Sequence, residues 1–147
     1  MKTLIRTLAV ATAFATAAVP LAAQAAAANA TAPAASAVAL KEAFGRMSVK
    51  EVGELVASKS GYVFDDNSKE SYAKGHVPGA KWLLPGAVTA QVLPADKSAK
   101  LVFYCHNERC MACHQAANAA IKLGYKNVFI MPAGIVGWQK AHQKIES

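Results

Sequence analysis

Apolar positions recur along this chain in two different periods, and the switches between them mark out its elements. Ser48-Val-Lys-Glu51 has the form of a capping box, and Val49, Val52, Leu55 and Val56 follow on one helical face. A short helix is expected there, with Gly61 as its stop. Tyr62-Val-Phe64 then reads as a strand ending at Asp65-Asp66-Asn67, and Ser68 to Lys74 as a second short helix closed by Gly75. His76-Val-Pro-Gly-Ala80 is irregular, because Pro78 lacks an N–H and Gly79 follows it. Trp82, Leu83 and Leu84 resume an apolar run as a candidate strand, and Leu101-Val-Phe-Tyr104 is the clearest buried strand. Ala112, Ala116, Ala119, Ala120 and Leu123 return to helical spacing until Gly124. Asn127-Val-Phe-Ile130 is a further strand, and the Pro132-Ala-Gly134 turn leads into a terminal helix holding Trp138.

Strand and helix therefore alternate. That order predicts an α/β domain with a mostly parallel central sheet flanked by helices, whose strand carboxyl ends form the ligand crevice. The predicted domain covers 40–147, just over 100 residues and enough for one core. Ahead of it the pattern changes twice. Lys2 and Arg6 precede an apolar run from Leu8 to Val19, Pro20 breaks that run, and Ala23-Gln24-Ala25 has the small-x-small form of a cleavage site. Residues 1–25 thus read as a secretory signal peptide, the run being shorter than the ~20 residues that span a bilayer. Residues 26–39 are almost all alanine, with little to bury, and read as a linker. The expected location is the bacterial periplasm, an oxidising compartment, with no stable membrane contact once the signal is removed.

Charge adds little. The formal net charge is +7, and removal of Lys2 and Arg6 with the signal leaves +5. The lysines are spread out, with neither a basic block nor a basic patch interleaved with aromatics, so no nucleic-acid partner is expected. A mild preference for small anions is all that the charge supports.

The chemistry is concentrated in Leu101-Val-Phe-Tyr-Cys105-His106-Asn107-Glu108-Arg109-Cys110-Met111-Ala-Cys113-His114, which holds all three cysteines. Cys105 lies at the carboxyl end of a strand and a few residues before a helix. Amides of an intervening loop, His106 to Met111, can there form an anion cradle, which favours the thiolate, as does Arg109 if its guanidinium turns inward. A nucleophile in an anion-binding loop suits sulfur transfer, phosphate or arsenate chemistry, and disulfide exchange. The same segment also spells Cys110-Met-Ala-Cys113-His114, the attachment pattern of a c-type haem. Against haem, the motif falls where a sheet-packed helix is expected, and neither Met111 nor Met131 recommends itself as a distal partner. A zinc site lacks four well-spaced ligands. No cofactor or metal is expected.

Larger fragments add a resemblance. Asp65-Asp-Asn67, then Tyr72-Ala-Lys-Gly75-His76-Val-Pro-Gly79-Ala80, Val102-Phe-Tyr-Cys105, Leu123-Gly-Tyr-Lys-Asn-Val128 and Ala133-Gly134-Ile-Val-Gly-Trp138 together resemble the single-domain rhodanese, or sulfurtransferase-like, family in order and spacing. The resemblance spans about Ser48 to His142. It implies that Cys105 is the persulfide-forming cysteine and that the segment from His106 onward is the substrate-binding loop. It also implies that Asp65 and His76 hold the fold around the site, and that Gly134 and Trp138 supply a late turn and a packing aromatic. Asn67 stands where the family commonly has arginine.

The loop departs from the most frequent family pattern, a glycine three residues after the cysteine and an arginine five after. Glu108 and Cys110 occupy those places, and Arg109 comes one residue early. The segment is more similar to a periplasmic-type subgroup with a second cysteine in the loop. Met111 also excludes the arginine that a cysteine phosphatase loop needs. The leading expectation is a sulfurtransferase that moves sulfane sulfur from thiosulfate or a persulfide donor to a thiol or cyanide acceptor through Cys105. Glu108 and the absent glycine favour the alternative, a non-catalytic accessory or redox-sensing domain. For the cysteines, pairing of Cys105 with Cys110 or of Cys110 with Cys113 as a redox pair, or simple packing by Cys113, all stay open.

Overall fold

The computed structural model describes residues 43–147. The expected signal peptide, the whole of the expected linker and residues 40–42 of the expected domain lie outside the described residues. The elements run β1 (Gly45–Arg46), α1 (Val49–Ser58), β2 (Tyr62–Asp65), α2 (Lys69–Lys74), β3 (Lys81–Trp82), a 3₁₀ turn (Pro85–Ala87), β4 (Lys100–Tyr104), α3 (Ala112–Lys122), β5 (Asn127–Ile130) and α4 (Gly134–Lys140). The strands form one sheet in the order β1-β5-β4-β2-β3, with every neighbouring pair parallel. The fold is α/β, as the alternation of periods predicts.

The central strand explains the clearest run in the sequence. Leu101, Val102, Phe103 and Tyr104 are all fully buried, because β4 has a neighbour on each side and helices over both faces. Alternation then sorts its side chains. Leu101 and Phe103 join Phe64, Val128 and Ile130 beneath α3, whose Cys113, Ala116, Ala117 and Ala120 bring the helix close to the sheet. Val102 and Tyr104 join Val63 and Met131 on the opposite face, beneath Val52 and Leu55 of α1 and Ile135 and Trp138 of α4. Trp138 is thus a core residue, with its indole N–H donating to the Lys144 carbonyl at 2.7 Å.

Local signals fix the ends of the helices. The capping box forms: the Ser48 amide donates to Glu51 at 2.7 Å and the Glu51 amide to the Ser48 hydroxyl at 3.3 Å. Gly61 is not the stop of α1. Lys59 takes the left-handed conformation, φ 51°, and the Ser60 amide closes back on the Leu55 carbonyl. Gly61 serves packing instead, since a Cβ there would sit 2.9 Å from both Leu55 and the Lys100 carbonyl. The apolar run after Ala80 yields only the two-residue β3, because Leu83 turns into the core and Pro85 opens the 3₁₀ turn. β1 has no signature in the sequence, being two residues long with no alternation to read. Its Gly45 lets β1 lie against the Phe129 ring, which a Cβ would overlap at 2.5 Å.

One buried polar network crosses the sheet. The Tyr104 hydroxyl donates to Asp65 at 2.6 Å and accepts from the Val77 amide at 3.0 Å, while Asp65 also accepts from the Asn67 amide and side chain. Tyr104→Phe strips a partner from two buried groups at once. It should cost ~1–3 kcal/mol, read as a lower urea midpoint with an unchanged m-value.

Candidate active site

Three strand ends define the site. β2 stops at Asp65 and β4 at Tyr104, which face each other in register, so the next residues, Asp66 and Cys105, come out side by side at the carboxyl edge of the sheet. The Asp66 amide continues the pairing by donating to the Tyr104 carbonyl at 2.8 Å. By alternation Asp66 and Cys105 fall on the α3 face, opposite Asp65 and Tyr104. The third edge is the turn after β5. Gly134 takes φ +59°, and the first amides of α4 reach back to the loop, Ile135 donating to the Cys105 carbonyl at 2.9 Å and Val136 to the His106 carbonyl at 3.1 Å. These bonds satisfy amides at a helix start that no side chain caps.

From Cys105 the chain makes a tight loop into α3. Asn107 organises it: its side chain accepts from the Arg109 amide at 3.0 Å and its carbonyl from the Cys110 amide at 3.0 Å. Two of the loop amides are therefore engaged within the loop. His106, Glu108, Arg109 and Met111 are exposed, and Asn107 and Cys110 are half-buried. Glu108 and Arg109, with Asn107, line a groove of about 410 Å³ against Ala133, Val136, Gly137 and Lys140 of the α4 segment. A groove of similar size, lined by Leu55, Tyr62, Pro78, Gly79 and Glu146, lies away from the loop and contains none of the expected site residues except through the neighbours of His76.

The Cys105 thiol itself points inward and is only 1% exposed. It donates to the Cys110 carbonyl at 3.2 Å and lies 3.4 Å from the Cys113 sulfur. The Cys113 contact first, and burial second, push this thiol well above its ordinary range. The Cys110 side chain and the Cys113 backbone amide work the other way and favour the thiolate, so the amide support expected from the sequence is present but is outweighed by the Cys113 thiol and by burial. All three cysteines are free thiols. Cys113, in the first turn of α3, is as buried as Cys105, and its sulfur lies 3.6 Å from His114 Nδ1.

The same packing removes the covalent haem reading. Cys113 is held in the core against Cys105, His114 is buried with its ring edge against Phe44 at 5.6 Å, and Met131 lies in the cluster on the other face of the sheet. A porphyrin bonded there would have to displace the α3 face of the core. Among the described residues no group of three or more His, Cys, Asp or Glu side chains is placed to hold a metal ion.

Asp65 and His76 stand back from the thiol. Asp65 belongs to the Tyr104 network. His76 stacks on the Tyr72 ring at 3.8 Å, its Nδ1 meets the Tyr72 carbonyl at 2.9 Å, and its backbone pairs with Glu146. Sequence reasoning missed Asp66. Its carboxyl is buried, neither oxygen has a hydrogen-bond partner, and desolvation first, then the neighbouring Cys105, Asp65 and Cys110, raise its pKa to about 9. A second acidic residue directly after Asp65, at a strand end leading to the cysteine, was the available signal.

Comparison with known proteins settles the family. The rhodanese-like domain matches residues 48–141. The chain belongs to the rhodanese-like family. Over 105 residues it is 24% identical to thiosulfate sulfurtransferase GlpE of Pseudoalteromonas translucida, covering 71% of this chain and 98% of that one. Among solved structures, BH2092 from Bacillus halodurans superposes with a TM-score of 0.65 at 20% identity, over 74% of this chain and 81% of that one. The human single-domain sulfurtransferase TSTD1 superposes with a TM-score of 0.57 at 26% identity, over 65% and 95%. The described residues therefore form the rhodanese-like domain that the motifs imply, and no helix among them is long and apolar enough to cross a membrane.

Proposed function

We propose that this protein is a sulfurtransferase that carries sulfane sulfur as a Cys105 persulfide, from thiosulfate or a persulfide donor to a thiol or cyanide acceptor. The observation that carries the reading is the position of Cys105 in a rhodanese-like domain. It is the first residue past the central strand, at the head of a loop that enters a helix start, with its backbone clamped by α4. Deprotonated Cys105 attacks the outer sulfur of the donor, and the remaining anion leaves toward the exposed loop, where Arg109 offers donors and positive charge. The acceptor thiolate then takes the outer sulfur and frees Cys105. We place this activity in the periplasm, with residues 1–25 as its signal, 26–39 as its linker and 40–147 as its working domain, in the subgroup that carries a second cysteine in the loop.

Reduced protein incubated with thiosulfate should become one sulfur atom heavier at Cys105 under conditions that intercept the adduct early, and Cys105→Ser should gain none. Peptide mapping that puts the sulfur on Cys110 or Cys113 alone would move the nucleophile elsewhere. A second reading, redox sensing without strong turnover, is favoured by one observation, the 3.4 Å approach of the Cys105 and Cys113 sulfurs.

A further inference from the structure

That approach has a chemical use that joins the two readings. We infer that Cys113 is a resolving thiol for the Cys105 persulfide: it attacks the inner sulfur, forms a Cys105–Cys113 disulfide and expels the transferred sulfur as sulfide. The inference rests on the sulfurtransferase reading for its substrate, the Cys105 persulfide, and on the geometry of the two thiols for everything else.

Three features of the structure single out this pair. The two sulfurs are in contact at 3.4 Å, and a disulfide at ~2.05 Å requires them to close by only about 1.4 Å. Both thiols converge on one acceptor, the Cys110 carbonyl, with Cys105 at 3.2 Å and Cys113 at 4.0 Å, so the loop holds them facing each other. Cys110 offers Cys105 this backbone oxygen, and its side chain also acts on the Cys105 sulfur, but the sulfur–sulfur contact at 3.4 Å is with Cys113. That separates Cys113 from the pairings that sequence spacing suggests, Cys105 with Cys110 and Cys110 with Cys113.

Cys113 is also placed to act as a nucleophile. It lies in the first turn of the eleven-residue α3, at a helix start that no side chain caps. His114 Nδ1, 3.6 Å from its sulfur, can take the thiol proton in the tautomer that leaves Nδ1 bare. The step then balances. The Cys113 sulfur forms a bond to Cys105 Sγ, and the bond from Cys105 Sγ to the outer sulfur breaks with its electron pair on the outer sulfur. That sulfur leaves as hydrosulfide, and the proton from Cys113 completes hydrogen sulfide. The Cys113 sulfur is oxidised and the outer sulfur is reduced, with no external oxidant. An external thiol reductant returns the disulfide to two thiols. Each persulfide is thereby divided between two fates, capture by an acceptor thiol and internal discharge as sulfide.

The test uses full-length protein, reduced and then freed of reductant, mixed with thiosulfate and no acceptor. Acid-quenched samples are read by non-reducing intact mass and peptide mapping, and released sulfide by bimane trapping. Wild type should end two hydrogens lighter than the reduced protein, with Cys105 joined to Cys113 and about one sulfide released per disulfide. Cys113→Ser, and Cys113→Ala as a variant that buries no hydroxyl, should instead retain one extra sulfur on Cys105 and release no sulfide until a thiol is added. A lasting persulfide in wild type with Cys113 free, or a disulfide through Cys110, would overturn the resolving role while leaving sulfur transfer intact. Absence of sulfur on Cys105 in both Cys113 variants would overturn the sulfurtransferase reading and the resolving step with it. In that case diamide oxidation still reports the pair, since it should join Cys105 to Cys113 in wild type without any sulfur donor.

Discussion

Gly134→Ala should lower the melting temperature by ~10 °C or more and abolish sulfur loading at Cys105, although Gly134 touches no substrate. Two effects combine. The residue sits at φ +59°, where an L side chain costs ~1–2 kcal/mol. A Cβ there would also lie 2.5 Å from both the Cys105 and the His106 carbonyl oxygens, and backbone atoms on both sides cannot yield as the end of a flexible side chain could. Relief requires the loop to move away from α4, which breaks the bonds from Ile135 and Val136 to those carbonyls, each worth about 1 kcal/mol. The sum is on the order of 3 kcal/mol for a domain of this size. Since the lost bonds hold the backbone of the nucleophile, loading should fall further than stability alone accounts for. Thermal melts beside mass-detected persulfide formation, measured well below the melting point, separate the two. A Gly134→Ala protein that melts and loads like wild type would show that the α4 start does not position Cys105.

The turn at Gly134 was visible in the sequence as a Pro-Ala-Gly punctuation, but its purpose was not, because the partner carbonyls lie about thirty residues earlier in the chain. The same division runs through the whole fold. Elements with their own periodicity or caps, such as the Ser48 capping box and the β4 run, were legible because local chemistry decides them. β1 and the role of Gly61 were not, since each depends on a residue of another strand, Phe129 in one case and Lys100 in the other. At the site, the strand-end position of Cys105 followed from the apolar run before it. The meeting of Cys105 with Cys113 did not, because the spacing of eight residues bridges a loop whose path is set by Asn107. Spacing alone favoured the nearer pairs.

Asp66→Asn should make the protein more stable at pH 8 and remove most of the decline in stability between mildly acidic and alkaline pH. Asp66 is 4% exposed, and both its oxygens are buried without a partner, so ionisation inside the fold is strongly disfavoured. Its folded pKa, about 9, stands above the model-peptide value of 3.8. The folded state therefore holds a proton that the unfolded chain releases. Stability associated with this group is fully present below about pH 3.8 and is lost progressively as pH rises toward about 9, with a slope near 1.4 kcal/mol per pH unit for one proton. Asparagine keeps the shape of the side chain and cannot ionise, so the slope should flatten, and urea unfolding at several pH values reads it directly. Equal slopes in the two proteins would mean that the carboxyl finds a partner or solvent in solution. The retained proton also bears on function. A neutral Asp66 beside Cys105 leaves the entrance of an anionic donor unopposed, whereas above pH 9 its carboxylate repels that donor and, as a like charge, opposes ionisation of Cys105. Thiosulfate loading in wild type should therefore lag behind Asp66→Asn above pH 9, and the gap should narrow below pH 8.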